Sequence, residues 1–430
     1  MINTPTMSRI AIASFIGTAI EFYDFYIYGM AASLVIGPVF FPGESASSQS
    51  LSAFLTFAVA FLTRPLGAVL FGHFGDRIGR KATLVTSLLV MGISTTLIGL
   101  LPSYAQIGVG APILLCALRF CQGIGLGGEW GGAALLATEN APKGKRGWYG
   151  MFPQLGPPVG FLLATASFLG LSHSLNDQQF IDWGWRLPFL ASSILVVIGL
   201  YVRLALTETP VFTQVLKQHK RVTFPLKNIL SLHLKPLILG ALAMVVCYAL
   251  FYIATVFSLS YGTSTLHIPR QQFLGMLCVA IVFMAVATPL SAWASDRYGR
   301  RRVLLSASSL ALLSGFALEP MLNSNSSLFI TVFLSLELFL MGATFAPMGA
   351  LLPELFPSEL RYTGAGTAYN LGGIIGASFA PYIAQRLVTE GGLAWVGGYV
   401  SLAAAISFCA VLMIRETRDK SWLPTYGGIN

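Results

Sequence analysis

Six ionisable residues lie inside long apolar runs of this chain: Glu21, Asp24, Arg64, Arg119, Glu129 and Glu337. A charged side chain at mid-bilayer costs at least about 2.5–3.5 kcal/mol on insertion scales. Such groups persist when they pair, face water, or bind an ion or substrate. The chemistry open to them is proton exchange on the carboxylates and anion binding on the guanidiniums. Glu21 precedes Asp24 by three residues, so the two share a helix face. Arg64 lies about 12 Å along its run from the nearest charged loop. It requires Glu129, Asp24 or a substrate carboxylate as partner, and its planar fork suits bidentate carboxylate binding. Glu129 is equally suited to neutralising Arg64 permanently. Glu337 has no basic partner in its half of the chain.

The elements that must position these groups are membrane spans. The 430 residues are 55% hydrophobic and 10% charged, with a mean hydropathy of +0.72. A soluble domain carries roughly 25% charged residues, so this chain needs a bilayer as solvent. Its net charge of +9 does not indicate nucleic acid, because the basic residues sit in short clusters between apolar runs. A span takes about 20 apolar residues. Twelve runs fit, near 10–34, 51–72, 82–101, 111–136, 149–171, 186–206, 236–261, 271–294, 302–321, 328–352, 363–387 and 395–414. The expected fold class is an all-α membrane protein with twelve transmembrane helices in two pseudo-symmetric six-helix bundles. The first run is too long for a cleaved leader and is interrupted by Glu21 and Asp24, so it reads as a span that stays.

Most of the 26 lysines and arginines fall on one side of these spans. The other side holds Arg186, Arg270 and Arg386, and Arg64 and Arg119 lie within spans. The positive-inside rule then puts both termini in the cytoplasm. The expected division is a bundle over 1–206, a basic cytoplasmic linker over 207–235, a second bundle over 236–415 and a tail over 416–430.

The two halves echo each other. Gly75-Asp76-Arg77-Ile78-Gly79-Arg80-Lys81 follows the second run, and Ser295-Asp296-Arg297-Tyr298-Gly299-Arg300-Arg301 follows the eighth. Glu139 with Arg146 follows the fourth run, and Glu354 with Arg361 follows the tenth at the same spacing. Arg203 with Glu208-Thr209 closes the first half, as Arg415-Glu416-Thr417 closes the second. Matched motifs in one order on one side of the membrane imply a parallel repeat.

These Asp-Arg-x-Gly-Arg-[Lys/Arg] loops resemble the signature of the major facilitator superfamily, over essentially the whole chain. More narrowly, the chain resembles the metabolite:proton symporter family. The residues that carry this are Glu21-Phe22-Tyr23-Asp24-Phe25, Arg64-Pro65-Leu66-Gly67, Gly72-His73-Phe74-Gly75-Asp76-Arg77, Gly127-Gly128-Glu129-Trp130-Gly131-Gly132 and Trp183-Gly184-Trp185-Arg186. Members of that family carry shikimate, 2-oxoglutarate, citrate and proline or betaine, and the pattern is nearest the shikimate-type and other enterobacterial members. The resemblance implies a bacterial inner-membrane symporter that imports a small organic acid with protons by alternating access. A zwitterion carrier is the alternative within transport, and a membrane receptor or enzyme is the alternative outside it. A monomer suffices, because both halves are in one chain.

The resemblance also implies site residues. Related sugar carriers place an Asp of span 1 against an Arg of span 4. Arg119-Phe120-Cys121-Gln122-Gly123 is similar to their Arg-x-x-x-Gly stretch, and Asp24 lies about 24 Å into span 1. Asp24 is thus expected to be the proton site, Arg119 its switching partner and Glu21 an auxiliary. A permanent Asp24–Arg119 ion pair is the plainer reading. Arg119 and Arg64 are the expected carboxylate ligands. Tyr23, Tyr26, Gln122, Gln154, Tyr248, Tyr252, Tyr369 and Asn370 are the expected polar lining. At the cytoplasmic face, Asp76 is expected to cap a helix of the opposite half. Arg80 is expected to pair with Glu139 and Arg300 with Glu354, with Arg146, Asp296 and Arg361 in the same gate. The alternative is that these charges only fix topology.

Other patterns carry no chemistry. The five cysteines lie in apolar runs and read as packing residues. The five histidines have no metal-ligand spacing. Gly123-Ile124-Gly125-Leu126-Gly127-Gly128 matches a dinucleotide fingerprint only formally. It lies within a span with no preceding strand, and its glycines read as helix–helix contacts. There is no nucleotide-binding loop and no expected cofactor or metal, so energy must come from an ion or substrate gradient.

Overall fold

The computed structural model describes residues 7–43, 45–78, 80–139, 141, 142, 144–204, 225–357 and 360–419. Among the described residues all regular secondary structure is helical, with no strand. A backbone in hydrocarbon has no water to bond, so each span satisfies its own N–H and C=O groups as a helix. All twelve expected spans are present. Spans 1 to 3 are Met7–Leu34, Ala46–Ile78 and Arg80–Leu100. Spans 4, 5 and 6 are Gly110–Glu139, Arg146–Ser174 and Leu187–Leu204. Spans 7 to 10 are Leu234–Ser264, Arg270–Tyr298, Arg300–Leu322 and Ser327–Glu354. Span 11 runs from Arg361–Gly373 through a π turn to Ala380–Gly391, and span 12 is Leu393–Met413. Most of the expected linker lies outside the described residues, which resume with a short helix at Pro225–Leu232.

The helix pairings repeat. Spans 1 and 5 pack together as do 7 and 11, spans 2 and 4 as do 8 and 10, and spans 3 and 6 as do 9 and 12. Between halves, span 5 packs on span 8 and span 2 on span 11. Span 2 shows why each helix faces as it does. Phe54, Phe57, Phe61 and Arg64 recur at helical spacing and are buried, whereas Leu62, Leu66, Val69 and Leu70 face outward as a lipid-side stripe.

Spans 2 and 4 approach backbone to backbone. A Cβ at Gly123 would collide with the Ala60 carbonyl, and one at Gly127 with the Arg64 carbonyl. The glycine run is therefore a close helix contact, as its position within a span suggested.

Several spans are broken near mid-membrane. Span 4 stops at Gly127 and restarts at Trp130, and span 10 stops at Phe345 and restarts at Met348. Pro347 supplies no N–H to the Ala343 carbonyl, and the Ser291 hydroxyl of span 8 donates to that carbonyl instead, at 2.6 Å. Spans 7 and 11 each contain a π turn, Ile253–Phe257 and Ile374–Ser378, a feature that frequently marks functional segments.

Candidate substrate and proton site

The centre of the molecule is an aromatic chamber built from both halves. Phe25 and Tyr26 come from span 1, Phe57 and Phe61 from span 2, and Tyr248, Phe251 and Tyr252 from span 7. Trp130 of span 4 and Tyr369 of span 11 close one end. The rings interlock across the halves: Tyr26 stacks on Phe251 at 4.9 Å and Phe57 meets Tyr252 at 5.3 Å. Phe61 meets Tyr252 at 5.5 Å, and Trp130 lies flat on Tyr369 at 4.1 Å. The void beside Tyr26, Phe161 and Val256 is about 10 Å³, room for no more than about one water.

Arg64 reaches into this chamber. Its guanidinium carbon lies 4.6 Å from the Phe25 ring centre and 4.3 Å from that of Phe61. Among the described residues no carboxylate lies within 4.0 Å of it, and its Nε has no hydrogen-bond partner. The Tyr248 hydroxyl is likewise buried without a partner. Glu129 does not neutralise Arg64. It accepts a hydrogen bond from Ser87 of span 3.

Asp24 and Arg119 are both fully buried, but they are not paired. Asp24 Oδ1 accepts from Ser192 of span 6 at 2.6 Å, and Oδ2 has no hydrogen-bond partner. Arg119 turns instead to span 2, donating from Nη2 to the Phe57 carbonyl at 3.1 Å and from Nε to that of Thr56 at 3.4 Å. Its Nη1 donates to Gln122 Oε1 at 2.6 Å, and its guanidinium lies 3.8 Å over the Tyr28 ring. The expected Asp24–Arg119 contact is therefore corrected. Similar depth in two spans does not set which way each side chain points around its helix. Between the two residues lies a chain of side chains: Gln122, bonded to Arg119, donates to Thr95 at 2.7 Å, and Thr95 neighbours Asp24.

The expected polar lining divides. Tyr252 and Tyr369 face the chamber. Tyr23 donates to the Pro188 carbonyl of span 6 at 3.1 Å, and Gln122 is engaged at both ends within the first half. Gln154 accepts from Trp130 Nε1 and donates to the Phe345 carbonyl, each at 3.0 Å. Asn370 donates to the Gly127 carbonyl at 3.2 Å, and Tyr362 to that of Gly128 at 2.6 Å. The carbonyls released by the breaks in spans 4 and 10 are thus taken by side chains of spans 11 and 5 in the opposite half. Glu21 is buried. Glu337 is fully buried, and both its oxygens lack a hydrogen-bond partner.

The charged repeat motifs bind the halves at one end. Asp296 accepts from the backbone N–H groups of Gly147 and Trp148, both at 2.8 Å, at the start of span 5. It also pairs with Arg300 at 2.6 Å. Arg300 reaches Glu354 at 3.4 Å, as expected, and Arg146 reaches the same carboxylate at 3.8 Å. Arg361 approaches Glu139 at 4.0 Å. The side chains of residues 72–84 lie outside the described set, and with them the expectations placed on Asp76 and Arg80. Asp296, the repeat counterpart of Asp76, caps the start of span 5 in the opposite half.

At the opposite end is a clasp that sequence reasoning does not single out. Arg270 of span 8 donates to Ser172 at 2.8 Å and pairs with Asp177 at 3.1 Å. It also lies 3.7 Å over the Phe180 ring. No periodicity or motif distinguishes these residues, because the contact joins segments far apart in sequence, the end of span 5 and the short helix Asp177–Asp182 with the start of span 8. Phe25, Phe57 and Phe61 also escape sequence reasoning as lining residues, and so does Trp130. For the three phenylalanines, their spacing around Arg64 on spans 1 and 2 is the available signal.

Comparison with known proteins agrees with this architecture. The model of the Major Facilitator Superfamily matches residues 14–361 and 263–427. The inner membrane metabolite transport protein YhjE of Escherichia coli K12 is 52% identical over 425 residues, covering 97% of each chain. The shikimate transporter of the same organism is 40% identical over 419 residues, covering 95% of each. A solved structure of the proton:xylose symporter XylE superposes with a TM-score of 0.76 at 17% identity, covering 97% of each chain, a likeness of fold. The chain belongs to the Major Facilitator Superfamily and is a multi-pass membrane transporter of metabolites, not an enzyme.

Proposed function

We propose that the protein is a proton-coupled symporter that imports a small organic acid by alternating access, with Arg64 as the carboxylate ligand and Asp24 as the proton carrier. The observation that carries this reading is the Arg64 guanidinium, buried between the halves in an aromatic chamber without an anionic partner among the described residues. An isolated buried cation is costly, and an incoming carboxylate offsets that cost through a bidentate contact. Asp24 has no cation within 4.0 Å among the described residues. A carboxylate shut away from water and cations is expensive, so the closed carrier holds Asp24 as the neutral acid and releases the proton when one face opens. A monoanion moving with one proton transfers no net charge, and each pH unit of gradient then contributes about 1.4 kcal/mol.

The 40% identity to a shikimate transporter supports a hydroxylated monocarboxylic acid. A zwitterion such as proline or betaine is the second reading. The tyrosine rings favour it, since they are able to take an ammonium group by cation–π contact while Arg64 holds the carboxylate. The protein lies in a bacterial inner membrane with both termini cytoplasmic. It works as a monomer whose halves rock about the chamber, with contacts at Asp296 and Glu354 closing the inner face.

The test is uptake of labelled shikimate into proteoliposomes under an inward proton gradient, competed by unlabelled acids and betaines. Arg64→Gln should abolish it. Arg64-independent uptake would remove Arg64 from the site. Flux of another panel acid in place of shikimate would keep the mechanism and change the substrate.

A further inference from the structure

We infer that the chamber accepts one carboxylate only, so that the carrier takes monocarboxylates and rejects di- and tricarboxylates of similar size. This rests on the proposal that Arg64 holds the substrate carboxylate, and adds a valence limit to it.

The limit follows from a count of the cations that an anionic ligand is able to reach. Two arginines are buried near the centre, Arg64 and Arg119. All three nitrogens of Arg119 donate to neutral acceptors: Nη1 to Gln122, Nη2 to the Phe57 carbonyl and Nε to the Thr56 carbonyl. The Tyr28 ring covers it as well. Gln122 is itself held by Thr95, so this set is a closed network. Freeing Arg119 would strand buried carbonyl and amide groups. Phe25, fully buried, touches both cations, at 4.6 Å from Arg64 and 5.2 Å from Arg119. The two guanidiniums therefore share a wall.

The remaining described arginines near the chamber's ends are engaged elsewhere. Arg146 and Arg300 share Glu354, Arg361 approaches Glu139, and Arg270 pairs with Asp177. Of the two central cations, Arg64 is then the one with a nitrogen left unbonded for a chamber ligand. A second ionised carboxylate would be buried among phenol and phenyl rings. The orphaned Tyr248 hydroxyl offers it a single neutral hydrogen bond, which suits a ring hydroxyl and does not balance a charge. Leaving a buried charge without its counterion weakens binding by about 100-fold or more.

The experiment measures ligand-induced thermal stabilisation of the purified full-length carrier at pH 7. The probes are shikimate, proline and glycine betaine with one carboxylate, succinate, 2-oxoglutarate and citrate with two or three, and xylose with none. Any ligand that binds the folded form raises the unfolding midpoint in proportion to log concentration over its dissociation constant. The expected result is stabilisation by at least one single-carboxylate compound, with succinate, 2-oxoglutarate and citrate requiring about 100-fold higher concentration. Arg64→Gln should remove the response. Arg64→Lys, which keeps the charge and guards against a variant that fails to fold, should weaken it about tenfold and preserve the order of the panel.

Stabilisation by succinate, 2-oxoglutarate or citrate at similar concentration, lost in Arg64→Gln, would overturn the single-carboxylate limit and leave the carboxylate role of Arg64 standing. Stabilisation by xylose alone, or a response that survives Arg64→Gln, would overturn the role of Arg64 itself. A panel in which no single-carboxylate compound stabilises the carrier would contradict the inference as stated.

Discussion

Arg119 is a bracket. It joins spans 2 and 4 through the Thr56 and Phe57 carbonyls and holds Gln122 against Thr95. Arg119→Met should therefore lower thermal stability by about 1–3 kcal/mol, from stranded buried acceptors. The surviving folded protein should keep its coupling ratio of protons to substrate. A stable Arg119→Met carrier that transports without protons would restore the switching role that the sequence suggests. The six charges are legible in the sequence, because each of them interrupts an apolar run. Their pairing is not. Position along a helix gives depth, at 1.5 Å per residue. The direction around the axis relative to a neighbour depends on packing, which places Asp24 against Ser192 and Arg119 against span 2. Trp130 is legible only as part of a motif, since its partner Tyr369 lies in the other half.

The broken helices bring polar contacts between the halves to the side of the chamber that carries the charged motifs. Breaks in spans 4 and 10 release the Gly127, Gly128 and Phe345 carbonyls, and Asn370, Tyr362 and Gln154 of the opposite half collect them. Asp296 adds two backbone N–H groups at the start of span 5, where the helix dipole favours an anion. Asp296→Ala removes that cap and leaves the rest of span 8 intact. It should populate the form open at this face. A cysteine placed at Met151, packed against Ala292 and Ala346, in a background with the five native cysteines replaced, should then react several-fold faster with a polar maleimide from that side. Unchanged labelling would mean that this network marks topology and does not hold the gate. The spans are readable from length and hydropathy alone. The breaks are partly readable: Pro347 and the Gly127-Gly128 pair announce them, and Gly372-Gly373 with Gly376 marks the π turn in span 11, whereas the π turn in span 7 carries neither glycine nor proline.

At the scale of the whole molecule, contacts join the halves at both ends. The Asp296–Arg300–Glu354 network lies at one end and the Arg270–Asp177 clasp at the other, so the described conformation is closed on both sides of the chamber. Alternating access requires each set to open in turn. The sequence repeat anticipates this architecture, because motifs in matched order on one membrane side imply equivalent helix pairings, and the pairings do repeat. The clasp is invisible in the sequence because it has no counterpart in the repeat. In the proposed mechanism substrate and proton move together, the proton on Asp24. The most direct test of that coupling is internal pH in unenergised proteoliposomes when a transported acid is added outside. Wild-type carrier should acidify the lumen as substrate enters, and Asp24→Asn should exchange labelled substrate across the membrane without acidification. Lumenal acidification by Asp24→Asn equal to wild type, or wild-type substrate entry with no proton movement, would contradict coupling through Asp24.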